Sequence, residues 1–456
     1  MKLAQEMTRA LPVIETLQAH GYEAVFVGGC VRDTYMGRPI KDVDLATSAT
    51  PEQVIALFPN HIPTGLKHGT VTVLMVDTPY EVTTYRTESE YEQFRRPQAV
   101  QFVTSLEADL LRRDFTMNAM AVRADGTLVD PYGGAKDIDS GILRCVGDAD
   151  ARFQEDALRM VRAVRFAGEF RLRIALGTWR ALRRHAPLLR HVAMERIGAE
   201  ADKMMSGSHP RRAVVLFARS GLLAHAKEPL PLRLTTAETS NPYVPFVSFE
   251  ETHDEFTIDS DKPSDLNWLR IGLVRGLSSA DAEQLFEALK YANSRRTNFS
   301  LTMSLAERMN VCIRRFTSGE ESVYDADRLQ YLKHDWVDAV LSHGAPIADN
   351  WLFALEHFPL ANLDNGTYAD ADFYRMLPAL LRGFREGMAV TDMRGLAVSG
   401  GDVMRHLSQP SGPWLGELLK KLLSEAAHGR VDNVPETLLQ LAEALESQRE
   451  SRGETR

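Results

Sequence analysis

The sequence predicts an α+β chain, with a mixed β-sheet domain at the N-terminus and all-α segments after it. Three observations lead there. Ala24 to Val27 reads as a strand running into Gly28-Gly29, a short helix and a second strand carrying Asp42 and Asp44. The stretches from Gly69 to Val76 and from Tyr80 to Tyr85 are rich in β-branched residues, as strands are. Beyond about residue 140 strand signals nearly vanish and helical periodicity takes over.

The first stretch also carries chemistry. Residues i and i+2 of a strand point to one face, so Asp42 and Asp44 would project side by side. Two carboxylates so placed repel unless a cation lies between them. Hard oxygen ligands suit Mg²⁺, which takes one or two carboxylates and completes its shell with phosphate and water. Gly28 and Gly29 let backbone amides approach a triphosphate, and Arg32 can pair with it bidentately. Metal pair and phosphate turn together point to nucleotidyl transfer.

Length and composition set bounds. At 456 residues the chain exceeds one core, and roughly two to four domains are expected. With 44% hydrophobic and 25% charged residues it is ordinary globular material. No run approaches the ~20 apolar residues of a membrane span, and the N-terminal helix lacks a signal peptide's apolar core. Cys30, Cys145 and Cys312 are widely spaced and odd in number, which argues against a disulfide framework and for a cytoplasmic location. The net charge of −9 is unevenly spread. Residues 1–205 hold 26 basic against 27 acidic side chains, and Arg144 to Arg190 holds 11 against 5. Phosphate contact needs such a local basic stripe, not a positive total.

Taking the chain in order, an amphipathic helix precedes Ala24, and Thr50-Pro51 opens another. Glu81 lies on the last strand of the β-rich region. A mixed sheet would bring it near Asp44 as a third carboxylate, unless it is only a hairpin glutamate facing water. Arg86 to Pro97 is charge-dominated and reads as a polar loop. Leu110 to Met120 reads as a helix with Arg112 and Arg113 at its entry, one facing the nucleotide site and the other serving structure. Leu128 to Asp130, followed by Pro131-Tyr132-Gly133-Gly134, closes the sheet domain.

Glu155 to Phe166 reads as one helix. Asp156, Arg159, Arg162 and Arg165 would advance around half its circumference. One acid followed by three arginines leaves two guanidiniums without acidic partners nearby. From about residue 206 helices alternate with polar loops, and Lys227 to Asp265 reads as an extended connection. His253-Asp254 and His334-Asp335 invite a metal-phosphohydrolase reading, but no further ligands fall at persuasive positions, and both read as surface pairs. Ser399-Gly400-Gly401 and Gly412-Pro413 each open a late helix, and the last residues read as a frayed tail.

In this order and spacing, GGCVRD, DVDLAT, RRDFTMNAM, DPYGG and EDALRMVRAVRF resemble the class II tRNA nucleotidyltransferases, the bacterial CCA-adding enzymes. The likeness covers roughly residues 20–205, with MERIGAEADKM as a looser element and LAVSGGDV and GPWLGELL as fainter ones. It implies a seahorse-shaped molecule with a nucleotidyltransferase head at 1–140, a helical neck at 141–205, a body at 206–330 and a tail at 331–456. It implies addition of C, C and A to the tRNA 3′ end from CTP and ATP, releasing pyrophosphate. Asp42 and Asp44 would be catalytic and hold Mg²⁺. Gly28, Gly29, Arg32, Arg113, Asp156, Arg159, Arg162 and Arg165 would bind the nucleotide.

Asp156 and Arg159 suit that task. Cytosine and adenine both present an exocyclic amine beside a ring-nitrogen acceptor, so one carboxylate–guanidinium pair can read both. Uracil and guanine reverse the pattern and leave the pair unsatisfied. Arg86 to Pro97, with Tyr91, Arg95, Arg96 and Pro97, resembles the loop that CC-adding relatives lack, which favours full CCA addition. An A-adding enzyme and a poly(A) polymerase are the enzymatic alternatives, and a non-catalytic RNA-binding protein is the alternative of another class. The helical half would grip the tRNA acceptor–TψC arm through local patches such as Arg295-Arg296, Arg314-Arg315 or Lys420-Lys421, with no membrane involved. The sequence leaves monomer and homodimer equally open.

Overall fold

The computed structural model describes residues 1–75, 78–88, 91–92, 96–97, 100–231, 263–317, 326–357 and 371–451. They form two compact units. One holds the described parts of Met1–Ala237 with Ala288–Lys290, the other those of Asp259–Glu287 and Tyr291–Arg456.

In the first unit the strands are β1 (Ala24–Val27), β2 (Asp44–Thr47), β3 (His61–Gly65), β4 (Thr70–Met75), β5 (Thr78–Thr84), β6 (Arg86–Glu88), β7 (Tyr91–Glu92), β8 (Arg96–Pro97), β9 (Val100–Phe102), β10 (Ala121–Val122), β11 (Leu128–Val129), β12 (Ile142–Leu143) and β13 (Arg173–Ile174). Seven form one mixed sheet in the order β11-β10-β1-β2-β5-β4-β3. Its neighbours are antiparallel except β2 and β5, which run parallel with Asp44 opposite Glu81. All four residues of β1 are buried. Ala24 and Phe26 join one core with Met7, Val13 and Leu17 of helix α1 (Gln5–Ala19). Val25 and Val27 join another with Ala46, Tyr85 and Leu110. Strand β1 thus lies sandwiched, which fixes where its C-terminal turn points.

The local expectations around that turn hold. Helix α2 (Gly29–Tyr35) follows Gly28, and α3 (Pro51–Leu57) begins with a capping box between Thr50 and Gln53. Four expectations need correction. First, β2 begins at Asp44, so Asp42 precedes the strand instead of sharing its pleat. Second, the stretch expected to be a loop after Tyr85 pairs its backbone: β6 with β9, and β7 with β8, antiparallel. Arg95 lies outside the described residues.

Third, helix α4 (Leu106–Leu111) ends before Arg112, so the two arginines sit at its C-terminus, where cations favour the helix dipole. The chain then extends at Phe115, which bridges Cys145. Fourth, the expected continuous helix is two. After α5 (Gly134–Asp139) come α6 (Ala149–Glu155) and α7 (Leu158–Glu169), with Asp156 extended between them at φ −139° and ψ 105°. The Asp156 carboxylate accepts from the Leu158 amide, 3.0 Å away, so the acid starts the second helix instead of riding on it. The rest of this unit is helical, through α8 (Leu176–His185), α9 (Met194–Met205) and α10 (Pro210–Ser220), apart from β12 and β13, which pair in parallel.

The second unit is helical from Pro263 to Ser451 among the described residues, around a core that includes Trp336, Trp351 and Leu422. Ser399 caps its helix at Gly400–Leu407 through a box with Asp402, and Gly412 precedes the helix Pro413–Ala427. His253-Asp254 and the last five residues lie outside the described residues, as does most of Lys227 to Asp265. No helix among the described residues is long and apolar enough to cross a membrane.

Candidate active site

The site grows from the turn after β1. Gly28 has φ +72° and ψ −130°, which a side chain rarely tolerates. A Cβ there would stand 3.1 Å from Arg113 Nη1 and 3.4 Å from Asp44 Oδ2. Three sequence-predicted residues from distant parts of the chain therefore meet at one point. Arg113 donates to Asp109 at 3.3 Å and, through Nη1, to the Asn118 carbonyl at 3.5 Å. Its Nε is buried without a partner, so the guanidinium is held in place with a donor still to satisfy.

The carboxylates converge on the same turn. Burial, then the Glu81 carboxylate, push the Asp44 carboxyl above its ordinary range; Asp42 adds to the push, and Arg113 and Arg32 oppose it. Among the described residues no side chain donates to Asp42, Asp44 or Glu81. A crowded, all-oxygen donor set of like charge fits a hard divalent cation. The three do not close into a three-ligand cage. Asp42 and Asp44 remain the metal-ligand candidates, and Glu81, opposite Asp44 on the neighbouring strand, is the charge that weighs most on it.

Arg32 is fixed by two bonds to Asp33, at 2.9 and 2.8 Å, and one to Asn118 Oδ1 at 2.8 Å. Its guanidinium lies 4.6 Å from the Phe170 ring centre, a cation–π contact. Of the two adjacent arginines, Arg112 turns to Asp109, at 2.7 Å, and its carbonyl accepts from Arg159 at 2.9 Å. Burial would raise the Asp109 carboxyl, but Arg112 and Arg113 outweigh it and hold it low. Asp109, Asp114, Asn118, Glu200 and Arg196 were missed from the sequence. Only Asp109 carried a local signal, three and four residues before the arginines, the spacing at which helical neighbours meet.

The arginine helix is not left unpaired. Arg159 pairs with Glu155 at 2.5 Å. Arg162 pairs with Asp114 at 2.6 Å and lies 3.8 Å from Glu200. Arg165 pairs with Glu200 at 2.6 Å and Glu169 at 3.0 Å, and its guanidinium carbon stands 3.9 Å from the Phe166 ring centre. Glu155 and Glu169 each lie four residues from their arginine, a spacing the sequence displays, whereas Asp114, after α4, and Glu200, on α9, are partners that no spacing along the arginine stretch could reveal. Asp156 has a partner too. Arg196 of α9 reaches it with two nitrogens, at 3.3 and 2.7 Å.

The chain is similar to known proteins in sequence and fold. Family profiles match the Poly A polymerase head domain over residues 24–144, the probable RNA and SrmB-binding site of polymerase A over 171–230, and tRNA nucleotidyltransferase domain 2 over 379–442. The CCA-adding enzyme of Geobacillus thermodenitrificans (strain NG80-2) is 53% identical over 214 residues, 47% of this chain and 53% of that protein. That alignment spans about half the relative's length. The CCA-adding enzyme of Geobacillus sp. (strain WCH70) is 35% identical over 438 residues, 96% of each protein. The crystal structure of the Bacillus stearothermophilus CCA-adding enzyme in complex with CTP is 33% identical, covering 99% of this chain and all of that one with a TM-score of 0.75. With sheet, turn and arginine helix in place and likeness running the whole length, this chain belongs to the CCA-adding tRNA nucleotidyltransferases.

Proposed function

We propose that this chain adds C, C and A to the tRNA 3′ end, taking CTP and ATP and releasing pyrophosphate. The observation that carries the reading is the meeting of Gly28, Asp44 and Arg113 at one turn. The head is residues 1–140, the neck 141–205, the body 206–330 and the tail 331–456. Asp42 and Asp44 hold the divalent cation, taken as Mg²⁺ from their hard oxygen donors. Bound there, the metal lowers the pKa of the tRNA 3′-hydroxyl and neutralises triphosphate charge.

The side chains do the rest. Gly28 and Gly29 let the triphosphate approach the backbone, and Arg113 offers it the unsatisfied Nε. Arg32, Arg162 and Arg165 are held by acids and rings, and that fixed placement presents their guanidinium donors to phosphate oxygens without reorganisation. Asp156 accepts the exocyclic amine of cytosine or adenine, and Arg159 donates to the ring nitrogen. A carboxylate has about four acceptor sites, so Asp156 can keep Arg196 and still take the amine. The helical second unit contacts the tRNA acceptor–TψC arm by shape and backbone. Three free cysteines support a cytoplasmic location.

The deciding experiment is product length on a tRNA lacking its end, with CTP alone, ATP alone and both. Full CCA addition gives two added residues with CTP and three with both. An A-adding enzyme gives one residue with ATP only after C and C are present, a poly(A) polymerase gives a ladder, and a non-catalytic RNA-binding protein gives nothing.

A further inference from the structure

The pair His334-Asp335, set aside as surface in the sequence, belongs to a different grouping in the fold. Helix Ala326–His343 carries His334 and Asp338 one turn apart, so both lie on one face. His428, which ends the helix Pro413–Ala427, comes to the same carboxylate from ninety residues away. Its Nε2 is 2.9 Å from Asp338 Oδ1, and His334 Nδ1 is 3.6 Å from Asp338 Oδ2. The two imidazoles stack with ring centres 4.2 Å apart and planes 26° apart. One ligand atom from each residue lies within 4.8 Å of the others, and no other such group occurs among the described residues.

Two features set this trio apart from side chains that merely face water. No lysine or arginine pairs with the Asp338 carboxylate among the described residues, so its charge faces only imidazoles. The His428 side chain is 6% exposed, while those of His334 and Asp338 are 46% and 37% exposed. The grouping therefore has a fixed inner wall and a mouth open to solvent. Two borderline imidazole nitrogens beside one hard carboxylate oxygen favour zinc, nickel or cobalt over magnesium, whose sites are built from oxygen. Three protein ligands with an open fourth position match a tetrahedral zinc site completed by water.

We propose that His334, Asp338 and His428 form a binding site for a divalent transition metal, zinc foremost, which staples two helices of the second unit. Coordination replaces the His428–Asp338 hydrogen bond and draws both imidazoles onto one ion. The site serves stability and takes no part in nucleotidyl transfer, whose ligands are carboxylates in the other unit. Because the unfolded chain does not bring residues 334 and 428 together, the ion binds the folded state and stabilises it by mass action.

The test uses the full chain, stripped with a chelator and returned to buffer with millimolar Mg²⁺ so that the carboxylate pair is occupied. Titration calorimetry with ZnCl₂ should show one strong site per chain, and the melting temperature should rise by a few degrees. Co²⁺ should give the visible absorption bands of a tetrahedral site. His428→Ala and His334→Gln should each weaken binding by more than about tenfold. Because His334 is half exposed, His334→Gln should melt like the parent protein without zinc, and it decides the matter if His428→Ala fails to fold. No zinc binding under Mg²⁺, or undiminished binding in His334→Gln, would overturn the proposal.

Discussion

Arg196 grips Asp156 with two nitrogens, at 3.3 and 2.7 Å, across forty residues of sequence. The grip fixes the orientation of the carboxylate and leaves part of its acceptor capacity open. A bidentate guanidinium is hard to replace, because an ammonium holds only one oxygen at a time. Arg196→Ala should therefore cut the preference for CTP over UTP by about tenfold or more, the worth of a charge-assisted bond of ~1.5–3 kcal/mol. Arg196→Lys should recover little of it. The measurement is kcat/KM for each nucleotide on tRNA lacking its end. A fall in activity with unchanged selectivity would assign Arg196 a purely structural role.

Gly28 gives a sharper contrast with its neighbour. At φ +72° and ψ −130°, an alanine would strain the backbone and press its Cβ to 3.1 Å from Arg113 Nη1. Gly28→Ala should cost roughly 1–3 kcal/mol of stability and raise KM for CTP as Arg113 is displaced. Gly29 begins a helix, and its Cβ would meet only Arg32 Nη2, at 3.7 Å. Gly29→Ala should melt within a degree or two of the parent, by circular dichroism on both variants.

What the sequence could show follows from how far apart the interacting groups lie. The strand at Ala24, the glycine turn and the capped helix at Thr50 are written in neighbouring residues, and all three are found. Glu81 beside Asp44 was legible as an option once the β-branched runs implied one sheet. The arginine helix misled because its pattern looked locally unpaired. Arg162 meets Asp114 across 48 residues and Arg165 meets Glu200 across 35, and no helical period encodes such partners. The break at Asp156 was hidden for a related reason. Its flanks are good helix formers, and only a side-chain bond to Leu158 and a clamp from Arg196 set the acid apart.

The carboxylates should separate by role. Asp42 and Asp44 are the metal-ligand candidates, and Glu81 raises the Asp44 carboxyl without completing a cage. Asp44→Asn should lower single-turnover incorporation of CMP by about a thousandfold, equivalent to ~4 kcal/mol of transition-state stabilisation, with tRNA affinity unchanged. Asp42→Ala should likewise lose activity and retain tRNA binding. Glu81→Gln should cost about tenfold or less, since it removes a neighbouring charge and no ligand. A Glu81→Gln defect as deep as that of Asp44→Asn would make Glu81 a third ligand.

Asp114 should give the first unit an acid sensitivity that a neutral isostere lacks. Burial would raise its carboxyl, but the Arg162 guanidinium, the Asn118 amide and Arg159 outweigh burial and bring it from 3.8 to about 2. A carboxylate depressed by folding stabilises fully above its unfolded value, and that contribution is lost as the pH falls toward the folded one. The window is therefore pH 4 down to about 2, with the full contribution on the order of 2 kcal/mol. Between pH 5 and pH 3 the stability gap between the parent protein and Asp114→Asn should narrow by about 1 kcal/mol. Urea unfolding at the two pH values, followed by circular dichroism, measures it. A gap that stays constant would mean that Asp114 acts through shape and hydrogen bonding, with its charge irrelevant.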